Sequence, residues 1–580
     1  MAATISHPAS DIPRTRGVAL LMVLLIVLAI TIIATGFIAK ADVELACGQN
    51  MLLRTEMDHL ADSALEHARG LLLHPQGISE TYWTGASGLQ LVNGSCDYYD
   101  VTVTRDSTDY CDYAIDCEAY RLRNGSRVGS CALAGAIRLD PCIGLWTLAD
   151  TTLRQNWVLH GDVRAQGTVV NQAVKASLDG DVFATSLSGN GSVGQVGAYA
   201  SASPDWPPVT GTYVNSSYTT TSLSSTLSTG STLTRIWRRD GDLTLGSNVS
   251  LNGMLLVTGN LTIVGGRTRI TAAKNLPVLY VGGNLLLEDA SDTVITGLTV
   301  VGGNLQLRAS ATGVKFIGGL CLGGAVVETT ADASGNGMTG TLAGNPVWQN
   351  AGTIGGALRL DGTGDYVDCG DKALLDLTAG VTVAAWVKTE RAGFAVNESL
   401  VTKGSHAYSL AINADIIEFA VYSDSTATWA VAQYPITSAF NAIWHHVAGT
   451  FDGAALKLYV DGTLQSTVAY AGLIASNPTH KVLIGANCED LSRLYQGSVD
   501  DVCIYDVALD ATMISSVMAG TSLTGLLGRW RLDGPGSYVT IQADPLAASI
   551  VAWPDGTSNP AVTWSPAADA FFRNIQRQLP

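Results

Sequence analysis

Residues Val18 to Ala39 read VALLMVLLIVLAITIIATGFIA, a run of 22 without a charge. A helix of that length rises about 33 Å, enough to cross the hydrocarbon core of a bilayer. Arg14 and Arg16 precede the run and no comparable cationic cluster follows it. Positive charge stays on the cytoplasmic side. The chain is therefore expected to be a single-pass protein of the inner (cytoplasmic) membrane, with Met1 in the cytoplasm and everything after Lys40 outside. The run is long for a secretory signal and no small-x-small cleavage site closes it, so a retained helix is expected. Beyond it, Val43, Ala46, Leu53, Met57, Leu60, Ala64, Ala68 and Leu71 recur mostly at steps of three and four. That is one apolar stripe on a helix continuing to about Leu73, where His74-Pro75-Gln76-Gly77 ends it.

The rest of the chain reads as β-structure. Of 580 residues only 14% are charged, 47% are hydrophobic and 62 are Gly, which is ample material for several cores. The net charge of −17, with 33 basic residues against 50 acidic, argues against a nucleic-acid partner, which needs clustered Lys and Arg. Five of the ten cysteines fall within Cys96–Cys142 without a C-x-x-C spacing. That pattern points to disulfides in an oxidising compartment and away from a zinc site.

Arg14-Thr15-Arg16-Gly17 followed by Val18-Ala19-Leu20-Leu21 resembles the class III leader of type IV pilins and type II secretion pseudopilins. Gly48-Gln49-Asn50 and Ala61-Asp62-Ser63-Ala64-Leu65-Glu66 are similar to the N-terminal helix of minor pilins and K-type pseudopilins. The resemblance implies cleavage after Gly17 by a prepilin peptidase, leaving Val18 as the first mature residue, and other pilins or pseudopilins as partners. The fifth mature position, Glu in major pilins, is Met22 here, which sets the chain apart from bulk subunits and resembles the tip type.

After the helix, residues 79–150 contain runs that alternate apolar and polar at period two, Tyr99–Val103, Tyr113–Leu122 and Ala134–Leu139, the pattern of half-buried strands. Asn124-Gly125 favours a hairpin turn, and Cys117 and Cys131 lie symmetrically about Asn124, so a cross-strand bridge between them is one expectation. The connectivity of the five clustered cysteines is not readable from spacing. A Gly-Asx-apolar step then recurs at Gly161, Gly180, Gly241, Gly259, Gly283 and Gly303, with local spacings of 19, then 18, 24 and 20. A short apolar strand with a turn residue every 20 or so positions points to a β-helix-like solenoid, with a Greek-key sandwich as the alternative. The Ser/Thr-rich stretch Tyr213–Thr234 reads as a surface loop or linker.

Residues 326–520 carry strands joined by Asp-Gly turns: Asp332–Leu342, Gly356–Val367, Val381–Lys388, Trp444–Gly453, Leu456–Gly462 and Gly497–Tyr505. They predict an antiparallel sandwich, with Trp386 and Trp444 in its core. In order and content the series resembles the laminin-G-like, concanavalin-type jelly roll. That resemblance implies binding of glycans or surface proteins and, often, calcium. Asp361 or Asp365 with Asp500 or Asp501 are then the candidate ligands, and Cys369 and Cys503 are expected to face each other. His445-His446 sit on a strand, where neighbours point to opposite faces and cannot share an ion. Gly525–Gly534 looks like the opening strand of a second, incomplete copy, with packing back on the jelly roll or on the pilin-like head as the alternative, and Ala567–Gln578 looks like a short amphipathic helix.

No Gly-x-Ser-x-Gly, His-Glu-x-x-His or phosphate loop is present. The expectation is a non-enzymatic protein that is mainly β behind a long N-terminal α-helix. Its divisions are a leader (1–17), a membrane and amphipathic helix (18–75), a pilin-like β head (76–150), β-helix-like repeats (151–325), a jelly roll (326–520) and a tail (521–580). The role expected is that of a minor pilin or pseudopilin presenting a binding domain outside the membrane, in a pilus or pseudopilus. The rivals are a surface-anchored carbohydrate-active enzyme and a static single-pass lectin.

Overall fold

A computed structural model describes residues 15–73, 82–140, 142–154, 156–172, 178, 180–189, 199–200, 220–222, 224, 226–227, 231–272, 277–390, 397–404, 406–423, 425–534, 536–544 and 569–578. The leader before Thr15, the helix-breaking His74–Gly77 and much of Tyr213–Thr234 lie outside them.

One helix runs unbroken from Thr15 to Leu73. Its first part touches nothing: the large apolar residues from Val18 to Leu52 are each 53–71% exposed. Its last five turns are the opposite. Met57, Leu60, Ala61, Ala64, Leu65, Ala68 and Leu72 are buried against Tyr99, Val101, Ile115, Ala119, Leu133 and Ile137 of the following sheet. Three alanines on one face let the helix backbone come close to the strands. A single helix thus has a bare stretch and a packed one: its charge-free run ends at Ala39, and burial against the sheet begins beyond Leu52.

The head sheet is antiparallel in the order Gly85–Leu89, Asp97–Arg105, Asp112–Arg123, Ser126–Asp140, Asp569–Gln578. Asn124 (φ 52°) and Gly125 (φ 78°) form the expected two-residue turn, a left-handed pair that only such residues adopt cheaply. The last strand corrects the helix expected at Ala567–Gln578. Positions 569–578 pair with Asp140 back to Ala132. The long free edge of Ser126–Asp140 offers a ladder that local helical periodicity does not outweigh.

The repeats form a parallel solenoid, which removes the Greek-key alternative. Each full coil gives three short strands, as in Leu279–Val281, Leu285–Glu288 and Val294–Thr296, followed by Thr299–Val301, Leu305–Arg308 and Val314–Ile317. Like residues stack in register: Leu261 on Leu285 on Leu305, and Ile263 on Leu287 on Leu307. The Gly-Asx step has a definite cause. Asp242 Oδ1 accepts the Asn260 N–H at 2.7 Å, Asn260 Oδ1 that of Asn284 at 2.9 Å, Asn284 Oδ1 that of Asn304 at 2.8 Å, and Asn304 Oδ1 that of Ala325 at 2.8 Å. A Cβ on Gly259, Gly283, Gly303 or Gly324 would stand 2.4, 2.5, 2.4 or 2.1 Å from that same oxygen, so only glycine fits before each Asx or its Ala325 counterpart.

The winding is not the simple run that the repeats imply. Ile143–Thr147, Asp162–Ala165, Val182–Phe183 and Tyr199–Ala200 stack outward in one direction. A second run starts at the far end with Thr220–Ser222 and Ser231–Arg239. It returns through Ser250–Val257, Leu279–Val281 and Thr299–Val301 to Leu320–Leu322, which pairs with Ile143–Thr147. The two runs meet in the middle.

The jelly roll is inserted within the last coil of the second run, between Val326–Thr330 and Val539–Gln542. One sheet carries Asn397–Thr402, Tyr408–Asn413, Ile416–Ser423 and Thr428–Pro435; the facing sheet carries Ala357–Asp361, Gln496–Tyr505, Val381–Thr389, His445–Phe451 and Ala455–Val460. Leu358, Leu360, Val383, Leu410, Phe419, Val447, Leu458 and Val499 fill the space between. The short helix Ala511–Met518, capped by Asp510, packs Ile514 and Val517 on the outside of the second sheet, over Ala384, Ala448 and Tyr505. Leu526–Trp530 pairs with Gln496–Tyr505, so Gly525–Gly534 completes this jelly roll and does not open another copy.

Candidate functional site

The four aspartates expected as calcium ligands do not converge on one point in the structure. Asp361 opposes Gln496 in the strand pair in which Leu358 opposes Val499. Asp500 therefore lies four positions from Asp361 along the ladder, about 13 Å at ~3.3 Å per residue. Most of their oxygens are also occupied, the buried Asp500 Oδ1 being an exception. Asp365 is buried and its two oxygens accept the N–H groups of Asn345 (2.6 Å) and Asp361 (3.0 Å), while Asp361 Oδ1 accepts that of Thr363 at 2.7 Å. Asp501 is clamped by Arg529, Nε to Oδ1 at 2.7 Å and Nη2 to Oδ2 at 2.8 Å, with both side chains 1% exposed. Asp500 Oδ2 takes the Thr353 and Ile354 N–H groups at 2.6 and 2.7 Å, and burial pushes its carboxyl up to about 7. A hard divalent ion needs six or more converging oxygens; here each carboxylate turns a different loop inward. Among the described residues, the one tight group of metal-type side chains is Asp109, Cys111 and Cys142. There the two sulfurs are bonded to each other and Asp109 holds Arg138 at 2.6 Å.

The cysteine expectations are corrected in the same way. The turn is centred between Asn124 and Gly125, and a bulge beyond Arg121 adds a position, so Cys117 faces Leu133 and Cys131 faces Ala119. The disulfide is Cys111–Cys142, with Cα atoms 6.0 Å apart, closing the ends of that hairpin. Cys369 lies in the core between the jelly-roll sheets, and Cys503 lies on the outer face under the short helix. A sheet separates them, and both are unbridged.

His445 and His446 take opposite faces, as strand geometry requires. His445 stacks on Phe440 with ring centres 3.8 Å apart and bonds Asp461 at 2.8 Å; His446 is buried against Trp386 at 5.4 Å. Burial lowers the His446 imidazole to about 4, so it is neutral in the fold. Trp386 is outside the inter-sheet core: its indole N–H donates to Met518 O at the end of the short helix. Trp444 is half-buried beside Lys388.

What the jelly roll does offer lies on the outer face of the first sheet. Phe419 and Val421 point inward, so Glu418, Ala420 and Tyr422 point outward. Tyr422 opposes Trp429 across the hairpin with ring centres 5.3 Å apart, edge to face, and His406 meets Tyr422 at 4.5 Å. Trp429 is 38% exposed and His406 is 59% exposed, with Glu489 at 3.7 Å from its Nδ1. Beside this aromatic row the surface is small: Ser409, Ala420 and Val431 stand in one register row, then Ala411, Glu418 and Gln433 in the next. Gln433 donates to Glu418 at 3.3 Å. Ring faces next to a low floor, with a carboxylate, an amide and an imidazole in reach, suit a flat ligand with C–H faces and hydroxyl edges. Sequence reading missed these three rings. The signal was present: Tyr422 and Trp429 flank the turn at equal distance, and Tyr422 has the parity opposite to Phe419.

Val18 stands 59% exposed at the start of the free half of the helix, directly after Gly17.

Comparison with known proteins agrees with the sandwich. Residues 361–515 match the family described as the Concanavalin A-like lectin/glucanases superfamily. No curated protein sequence matches the chain. Among solved structures, the botulinum neurotoxin serotype G binding domain is similar at 16% identity, over 32% of this chain and 47% of that one, with a TM-score of 0.28. Domain 4 of AbnA, an extracellular arabinanase from Geobacillus stearothermophilus, solved with arabinotriose, is similar at 19% identity over 33% of this chain and 98% of that one, with a TM-score of 0.26. The chain spans about half the length of the neurotoxin binding domains it matches, 47–49% for the first three. The protein thus carries a jelly-roll domain similar, over residues 361–515, to the concanavalin A-like superfamily, set in a β-solenoid behind a long apolar N-terminal helix.

Proposed function

We propose that this protein is a membrane-inserted minor pilin or pseudopilin that presents a glycan-binding jelly roll on a solenoid stalk. The observation that carries the reading is the division of the helix. Its apolar half is bare from Val18 to Leu52, while the other half is the core of a β head. A plain anchor needs a span and a tether. A subunit that leaves the bilayer to pack against others needs a rigid rod whose oily surface is reused, continuous with the body it carries. The leader-like Arg16-Gly17-Val18 junction supplies the cut that releases it, by a prepilin peptidase acting from the cytoplasmic face. The aromatic row of His406, Tyr422 and Trp429 is the ligand surface, stacking on sugar C–H faces while Glu418 and Gln433 bond hydroxyls.

Two measurements test this. The mature protein should begin at Val18 when a prepilin peptidase is co-expressed, and Gly17→Ala should leave it starting at Met1. An intact Met1 in the parent would leave a static surface lectin. On a glycan array, Trp429→Ala should lower binding at least tenfold without changing the melting of the jelly roll. Undiminished binding would remove the aromatic row from the site, and substrate turnover would favour the carbohydrate-active enzyme.

A further inference from the structure

The chain finishes its early domains with its last residues. In the coil that begins with Thr299–Val301, Leu305–Arg308 and Val314–Ile317 are joined by five residues, 309–313. In the next coil the same joint, between Val326–Thr330 and Val539–Gln542, holds the 208 residues 331–538. Val539–Gln542 nevertheless fills its rung, pairing with Val314–Ile317 on one side and Trp157–His160 on the other, and so bridges the two runs of the solenoid. Ser537 N–H donates to the buried Glu328 at 2.8 Å, and Trp157 Nε1 donates to Ser537 Oγ at 3.1 Å. Immediately afterwards, Ala543 packs on the Cys111–Cys142 disulfide of the head and Asp544 pairs with Arg105 at 2.8 Å. Asp569–Gln578 then completes the head sheet.

The jelly roll makes these closures feasible only when it is folded. Its exit lies on its entrance: Ala333 N–H donates to Arg529 O at 2.7 Å, and Arg529 N–H to Asp332 Oδ1 at 3.0 Å. Folded, the insert is a short joint. Unfolded, it is a loop of about 200 residues, and closure probability falls with loop length to the power of about 3/2. Going from five residues to that length lowers the chance of seating the rung on the order of a few hundredfold.

We propose that residues 537–544 and 569–578 form a clasp that makes completion of the stalk and the head conditional on a folded jelly roll. A subunit whose binding domain fails to fold keeps an open rung between its two half-solenoids and an unpaired edge on the strand Ser126–Asp140, and so withholds itself from assembly.

Hydrogen exchange on the full chain tests the clasp. In Gly449→Leu, a Cβ would stand 2.0 Å from the Phe419 ring in the sandwich core, which unfolds the jelly roll. Exchange at 132–140, 157–160 and 314–317, all outside the jelly roll, should then rise at least tenfold. Replacing 331–538 by a five-residue joint should return those segments to the parent's level with no jelly roll present. Urea titration of the parent gives an independent reading: the same segments should open at or below the urea concentration that opens the jelly-roll strands. Unchanged exchange in Gly449→Leu with the jelly roll unfolded would overturn the proposal. So would a short-joint variant that stays as exposed as Gly449→Leu, or clasp segments that survive beyond the jelly roll in urea.

Discussion

Arg529→Met is the perturbation that most directly separates a structural from a metal-binding role for the C-terminal aspartates. The guanidinium is 1% exposed and makes four side-chain hydrogen bonds: two to Asp501, at 2.7 and 2.8 Å, one to Ser522 Oγ at 2.8 Å and one to Gly520 O at 2.9 Å. Methionine fills much of the volume but leaves the Asp501 carboxylate buried and unpaired, a loss of about 3–5 kcal/mol. Asp501 has φ 47°, a left-handed conformation that asparagine tolerates, so Asp501→Asn is the suitable second change. The double variant removes the stranded charge and should regain about half of the loss. The assay is native-state hydrogen exchange of the strand Gln496–Tyr505 in the full-length chain, which reads jelly-roll opening without assuming one transition for all domains. A single-variant loss below about 1 kcal/mol, or a double variant no better than the single, would show that the pair is not a closed buried ion pair. If Asp501 instead served a cation, millimolar calcium would add protection in the parent; none is expected.

Three further outcomes follow from the same geometry. Asp500 is pushed up to about 7 from 3.8 by burial, so its neutral form stabilises the fold fully below pH ~4, and that contribution is lost as pH rises to about 7. Asp500→Asn should therefore gain on the parent by up to about 1.4 kcal/mol per pH unit across that window and run parallel above it. His446, lowered to about 4 from 6.5 by burial, acts with the opposite sign, its stabilising neutral form being lost as pH falls through that range. The parent's own slope should thus be shallow, and a steep one would contradict both assignments. Gly303→Ala places a methyl 2.4 Å from Asn284 Oδ1 and should melt the solenoid several degrees lower, whereas an alanine at the exposed turn residue Gly335, which meets no neighbouring atom, should cost far less through its φ of 89° alone. Reducing Cys111–Cys142, which closes a separation of 31 residues, should destabilise the head by about 3–4 kcal/mol and leave the jelly roll unchanged by the same exchange assay.

The elements themselves were legible, because each is written in a short-range pattern. An uncharged run of 22 residues admits little but a helix in an apolar medium. The Gly-Asx step announced the solenoid because a repeated clash between a Cβ and the preceding Asx oxygen excludes every residue but glycine at those rungs. Asn124-Gly125 fixed a turn, and alternation at period two gave the sandwich strands and placed His445 and His446 on opposite faces. The aromatic row was readable in principle, since Tyr422 alternates with Phe419 along its strand and Trp429 stands opposite it across the turn.

What the sequence left open is everything set by contact between distant segments. Cys117 and Cys131 look paired by symmetry about Asn124, but the turn is centred between Asn124 and Gly125 and a bulge shifts the register further, while the bridge joins Cys111 and Cys142 at the hairpin ends. Asp361, Asp365, Asp500 and Asp501 look like ligands, but Asp361 closes its own turn on Thr363 and the other three meet partners brought by other segments, Arg529 above all. The two half-solenoids could each be read, yet not that they wind toward one another, nor that residues 539–542 seat the rung between them. Strand 569–578 carries helix-like spacing and becomes extended because a head edge built more than 400 residues earlier lacks its neighbour. Period and propensity are properties of ten residues at a time. Pairing, insertion and charge neutralisation depend on which surfaces meet once the chain has collapsed, and only the tertiary structure decides that.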